Sequence, residues 1–160
     1  MIAFQSELAQ AQASLDPIIT STEHQLKMAI AIGSFEVKLT PVTDDDSPAG
    51  DNLGRMLIDK QFEGDLVAQS DGQMLTAMTS VAGSAGYVAV ERVRGVLHER
   101  EGTFVLQHTG TMADGSQYLK IGVVPDSGTG ELIGLSGEMK ITNTEGKHFY
   151  EFEYTLDSDS

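Results

Sequence analysis

The sequence predicts an all-β protein: a single antiparallel up-and-down β-barrel of about eight strands. Three observations carry this. From Ala29 onward the apolar residues recur with a period of two rather than 3.6. The alternating runs are separated by short turns rich in Gly, Asp and Glu, with no helical pattern among them. The stretch Val123-Val124-Pro125-Asp126-Ser127-Gly128-Thr129-Gly130-Glu131-Leu132-Ile133-Gly134-Leu135-Ser136-Gly137 joins two such runs by a glycine-rich turn, and the rest of the chain repeats its grammar. Sequential hairpins favour a meander over a sandwich, and closing the sheet removes its edges.

Residues 1–28 form an N-terminal leader, helical or disordered. Phe4, Leu8, Ala11 and Leu15 make a helical stripe that Asp16-Pro17 ends. Two readings stay open: a helix that packs on the domain or a partner, and a loosely attached leader with Met28 as the natural start. The barrel domain is expected over 29–156, with a frayed tail at 157–160.

The first strand alternates Ala31, Gly33, Phe35, Val37 and Leu39 with polar partners. The loop Asp44-Asp45-Asp46-Ser47-Pro48 lacks the spaced oxygens, central Gly and closing Glu of a calcium loop, so it reads as solvated. A long second strand is expected from Arg55 to Ser70, with Asp59, Gln61, Glu63 and Asp65 wet and Ile58, Lys60, Phe62, Leu66 and Ala68 on the other face. Gly64 reads as a bulge or bend. Asp71-Gly72 reads as a hairpin turn into a third strand from Gln73 to Ser80. Ala82-Gly83-Ser84-Ala85-Gly86 then connects to a fourth strand, Tyr87 to His98, whose two arginines and His98 belong outside, so that Glu91 points inward. The turn Glu99-Arg100-Glu101-Gly102 leads to a fifth strand, Thr103–Met112. Asp114-Gly115 turns into a sixth, Ser116–Val124. The seventh runs from Glu131 to Thr142, and Thr144-Glu145-Gly146 turns into the eighth, Lys147–Leu156.

Matching apolar faces predicts three registers. A turn at Arg100-Glu101 would set Leu97 by Phe104 and Val93 by His108, leaving Glu91 diagonal to His108. A turn at Asp114-Gly115 sets His108 by Ile121, and one at Glu145-Gly146 sets Ile141 by Tyr150. The inward polar set, and hence the candidate ligand-binding set, is Lys60, Tyr87, Glu91, His108, Tyr150 and Tyr154. A carboxylate beside an imidazole can hold one ring tautomer and free the other nitrogen for proton transfer, which makes Glu91 and His108 the catalytic candidates. The alternative is a structural polar cluster that merely satisfies buried groups. On the outer wall Val88, Val90, Val96 and Val105, with Val96 opposite Val105, form an apolar patch extended by Tyr118 and Val124, and a homo-oligomer is the preferred explanation.

Composition excludes several classes. Net charge is -14, with 24 acidic against 10 basic residues, which disfavours nucleic acid or an anionic membrane as partner. No apolar run reaches the length of a membrane span. Without cysteine there is no thiolate or disulfide chemistry. The N-terminus lacks the basic region of a signal peptide, and the reading is cytoplasmic. Gly128-Thr129-Gly130 lacks the third Gly and following helix of a dinucleotide fingerprint, Gly83-Ser84-Ala85-Gly86 lacks nucleophile-elbow spacing, and His24, His98, His108 and His148 show no metal spacing. No metal or cofactor is expected. The seven methionines read as scattered core fillers.

Four blocks, Lys60–Leu66, Gly83–Arg92, Gly102–Gly110 and Val124–Leu132, resemble the signature blocks of a bacterial domain-of-unknown-function family whose barrel is similar to that of plant allene oxide cyclase. The Gly-Thr-Gly turn with Gly134 and Gly137 is similar to that of the dirigent proteins of the same barrel superfamily. The resemblance covers about 29–156 of the chain. It implies a barrel that holds a small hydrophobic molecule, and a dimer or trimer. Isomerase or cyclase activity through Glu91-His108 is an alternative on fold analogy, and a structural oligomer with a filled barrel is another. The resemblance assigns no role to Lys60, Tyr87, Glu91, Gln107 or His108, and Glu99 and Glu101 depart from the smaller turn expected between the fourth and fifth strands.

Overall fold

The computed structural model describes residues 26–43 and 52–156. The leader stripe, the acidic loop at 44–48 and the tail at 157–160 lie outside the described residues. Eight strands close into one antiparallel barrel in chain order: β1 (Lys27–Pro41), β2 (Leu53–Gly64), β3 (Leu66–Met78), β4 (Ala85–Leu97), β5 (Arg100–Ala113), β6 (Ser116–Val123), β7 (Ser136–Thr144) and β8 (Lys147–Leu156). β1 pairs with β8, Gly33 opposite Tyr150, and so closes the sheet.

Two predicted registers are observed, His108 by Ile121 and Ile141 by Tyr150. The β4–β5 register differs. The turn is His98-Glu99, both at positive φ (43° and 68°), and Val93 faces Phe104 while Ala89 faces His108. A two-residue turn with both centres left-handed matches the strand twist. The slip is four residues, an even number, so no side chain changes face. Val96 consequently lies opposite Glu101, not Val105, which faces Arg92. The outer patch is therefore rearranged. Leu75 faces Val88, one row along Leu57 and Val90 flank Gln73, and these four apolar side chains are exposed.

The other correction concerns β2 and β3. Asp71-Gly72 is not a turn. It sits within β3, with Asp59 opposite Asp71 and Ile58 opposite Gly72. The chain reverses instead at Gly64-Asp65, where Gly64 supplies φ +107°. Asp65 caps the reversal by accepting a hydrogen bond from Ile32 N at 2.9 Å. Gly72 is required for another reason: a Cβ there would lie 2.4 Å from Val90 O and 2.6 Å from Glu91 Cβ. Likewise the predicted seventh strand begins late. Gly130–Leu132 form a single 3-10 turn, and pairing resumes only at Ser136. Gly130 takes φ +61° there, as the glycine-rich turn requires.

Burial falls along the barrel axis. At one end the inward residues Ala31, Phe62, Leu66, Leu97, Phe104, Phe152 and Leu156 are fully buried, and Leu132 and Leu135 of the turn segment cap them. Phe104 and Phe152 stack with centroids 5.7 Å apart. At the other end the same inward rows reach solvent: Leu39 is 43% exposed, Met78 59%, Met112 37% and Leu119 42%. Strand alternation points all four into the lumen, so this end is open.

Candidate functional site

Between the packed half and the open half lies one polar layer. Lys60 on β2, Ser70 on β3, Glu91 on β4 and His108 on β5 occupy inward positions and are buried. They converge on the Glu91 carboxylate. Lys60 Nζ donates to Oε1 at 2.8 Å, His108 Nε2 donates to the same oxygen at 2.9 Å, and Ser70 Oγ donates to Oε2 at 2.9 Å. The ammonium also rests 5.1 Å from the Phe35 ring centroid and 5.8 Å from that of Phe62, where the ring quadrupole favours a cation.

Burial alone would push the Glu91 carboxyl up. The His108 hydrogen bond and the Lys60 charge outweigh it and hold the carboxyl down to about 2. Glu91 is thus an ionised acceptor, and that fixes the tautomer of His108 when the ring is neutral: the proton is on Nε2 and the lone pair on Nδ1. Nδ1 has no protein hydrogen bond among the described residues.

Tyr87 is the next inward residue but one from Glu91 toward the open end. Burial first, then the charge of Glu91, push its phenol up. Its ring lies across Gly110, where a Cβ would approach to 2.3 Å, so Gly110 makes room for it. On its outer side is a cavity of about 250 Å³ at the rim, lined by Tyr87 together with Thr76, Met78, Met112, Tyr118 and Leu119 among others. Lys60, Glu91 and His108 do not line it; Tyr87 stands between cavity and cluster.

The six predicted residues therefore divide. Lys60, Glu91 and His108 come together, with Tyr87 adjacent. Tyr150 and Tyr154 belong to the closed half. Tyr150 Oη accepts from Leu66 N at 2.9 Å and donates to Glu63 O at 3.1 Å, which locks the β2–β3 reversal. Tyr154 Oη meets His98 Nδ1 at 2.6 Å, and His98 Nε2 faces Asp65 Oδ2 at 3.6 Å. His98 is outward as predicted, but it reaches around the hairpin tip to the end of β8. Burial pushes both phenols up.

Sequence reasoning missed Ser70, whose position opposite Lys60 was hidden by the misplaced turn. It also missed the methionines. Met56 and Met74 are cross-strand partners on the inward face, and Met78 and Met112 extend the same lining at the open end. The signal was available as strand parity once the β2–β3 reversal is placed at Gly64. Among the described residues no group of three or more acidic or histidine side chains could hold a metal ion, and no helix is long and apolar enough to cross a membrane.

Comparison with known proteins agrees with this architecture. No functionally curated protein matches the chain. A crystal structure of a protein of unknown function from Shewanella oneidensis MR-1, of the DUF3224 family, is 52% identical, covering 84% of this chain and 100% of that one, with a TM-score of 0.76. The model of that family, described as a protein of unknown function, matches residues 31–154, which takes in β2 to β7 whole, most of β1 and β8, the polar layer and the open rim, and the chain belongs to the DUF3224 family.

Proposed function

We propose that this protein is a small-molecule binding barrel that holds a small, mostly apolar ligand at its open end. The observation that carries the reading is the exposure of inward-facing Leu39, Met78, Met112 and Leu119 at the open end, the last three of which line the rim cavity. A barrel whose role was only structural would fill those positions or cover them, because exposed apolar surface is unfavourable. Methionine suits the task, since its flexible thioether adapts to an occupant. Tyr87 is a polar group within a ligand's reach, and the Lys60–Glu91–His108 layer lies behind it. Similarity to the allene oxide cyclase barrel, which also encloses apolar molecules, fits the same reading at the level of fold.

One observation favours a second reading, a proton-transferring isomerase. Glu91 holds the His108 ring through Nε2 at 2.9 Å and leaves Nδ1 without a described partner, the arrangement a proton-transferring imidazole needs. Loss of turnover on a found substrate in His108→Ala, with binding retained, would select it over simple binding. The exposed apolar rows on the outer wall also favour a homo-oligomer, which a monomeric mass by light scattering would refute.

The test is native mass spectrometry of protein purified from its own host. A retained mass of a few hundred daltons, lost in a Met78→Lys/Met112→Lys variant, is the expected result. Protein that is apo under these conditions, and whose methionine methyl resonances do not shift with any apolar probe, refutes the proposal.

A further inference from the structure

The rim cavity differs from the other cavities in its charge. A groove of about 550 Å³ along β1, β2 and the β7–β8 turn is lined by Glu36, Glu63 and Lys147 among others. A hollow of about 500 Å³ beside Gly64 includes Glu63, and one of about 260 Å³ beside Gly137 includes Glu138 and Glu153. The rim cavity has no charged residue in its lining. Its polar atoms come from hydroxyl and amide groups such as Tyr87, Tyr118, Thr76 and Gln117. The nearest buried charges beneath it cancel, because Lys60 is spent on Glu91.

We infer that the occupant of the rim cavity is a neutral molecule, ring-bearing and smaller than a typical drug, with one hydroxyl or carbonyl group for Tyr87. This rests on the binding reading above and narrows it. A charged group placed in this lining would lose its hydration with no opposite charge to replace it. An anion would also meet the field of a chain with net charge -14. A cation gains from that field, yet finds no carboxylate within the lining. The volume of about 250 Å³ lies below the range of drug-sized sites, which sets the size at roughly one or two fused rings. Two tyrosine rings with the thioethers of Met78 and Met112 favour an aromatic or otherwise flat partner, since sulfur at a ring edge is attractive.

The experiment compares three probes built on one ring system, naphthol, naphthoate and naphthylmethylammonium, titrated at neutral pH into the full-length protein carrying labelled methionine methyl groups. The Met78 and Met112 resonances, assigned from Met78→Leu and Met112→Leu, report occupancy. Naphthol is expected to bind at least about tenfold more tightly than either ion, the penalty for an unpaired buried charge being at least that large. If an ion binds as tightly as naphthol or more so, this inference falls while the binding reading stands. If no probe moves either methyl, the binding reading falls and this inference falls with it.

Discussion

Removing the ammonium at Lys60 is the most informative single change. In Lys60→Met the Glu91 carboxylate keeps Ser70 and His108 but loses its one fixed cation, 2.8 Å away. At an effective dielectric constant of about 20, charges at that separation attract by roughly 6 kcal/mol. Part of this is recovered because Glu91 can take up a proton. A net loss of about 3–5 kcal/mol is expected, the usual cost of leaving one member of a buried pair alone. For a chain of this size that is a fall of about 6–20 °C in Tm. Replacing both charges, Lys60→Met with Glu91→Leu, removes the uncompensated charge and is expected to recover at least half of the loss, leaving His108 and Ser70 each short of a neutral hydrogen bond. Urea unfolding of the wild type, both singles and the double measures the coupling. A Lys60→Met cost under about 1 kcal/mol would show that the pair is solvated and screened in solution. A double variant as unstable as the sum of the singles would show that the residues act independently. Either result refutes the picture of one dry, interdependent layer.

Two further predictions follow from the same geometry. Glu91 has its folded carboxyl held down to about 2 from a usual 4.5, so its stabilisation is present above about 4.5 and is lost as pH falls through about 2. That difference is worth about 3 kcal/mol. Glu91→Gln should therefore flatten the stability profile across that window, and an unchanged acid limb would exclude Glu91 as its source. Glu99 is exposed and sits at φ +68° in the β4–β5 turn, a conformation that costs a β-carbon strain. Glu99→Gly should raise stability by about 0.5–1 kcal/mol in thermal unfolding, and a loss would show that the side chain makes a favourable interaction of its own.

How much of this was legible in the sequence follows from what a period of two records. Parity within each strand assigns Lys60, Glu91 and His108 to the lumen, and the assignment survives at β4–β5 because the error there is even. The four-residue slip at His98-Glu99 changed partners but not faces. Turn chemistry was less reliable. Asp71-Gly72 has the composition of a hairpin, but Gly72 is selected by the Glu91 side chain packed against its Cα. Local propensity yields there to a contact from the neighbouring strand. The open end was not legible at all. Leu39, Met112 and Leu119 read as core because an apolar inward residue looks the same whether or not another layer covers it. Only the placement of Leu132 and Leu135 at the opposite end reveals which half is capped.

The position of the polar layer bears on why it exists. A buried lysine–glutamate pair is a poor way to gain stability, since apolar residues of similar volume commonly do as well or better. Were the layer there only to set strand register, the closed half would serve equally, where packing and the Tyr150 and Tyr154 hydrogen bonds already hold the strand ends. Instead it lies at the one level of the barrel where a dry core meets an open, methionine-lined mouth. There its donors are spent on Glu91, while the remaining nitrogen of His108 and the hydroxyl of Tyr87 are not committed to any described partner. A cluster at that level, with one ring nitrogen and the adjacent phenol left uncommitted, is what the proposed binding site would require, and an occupant bound there would offset its cost in stability.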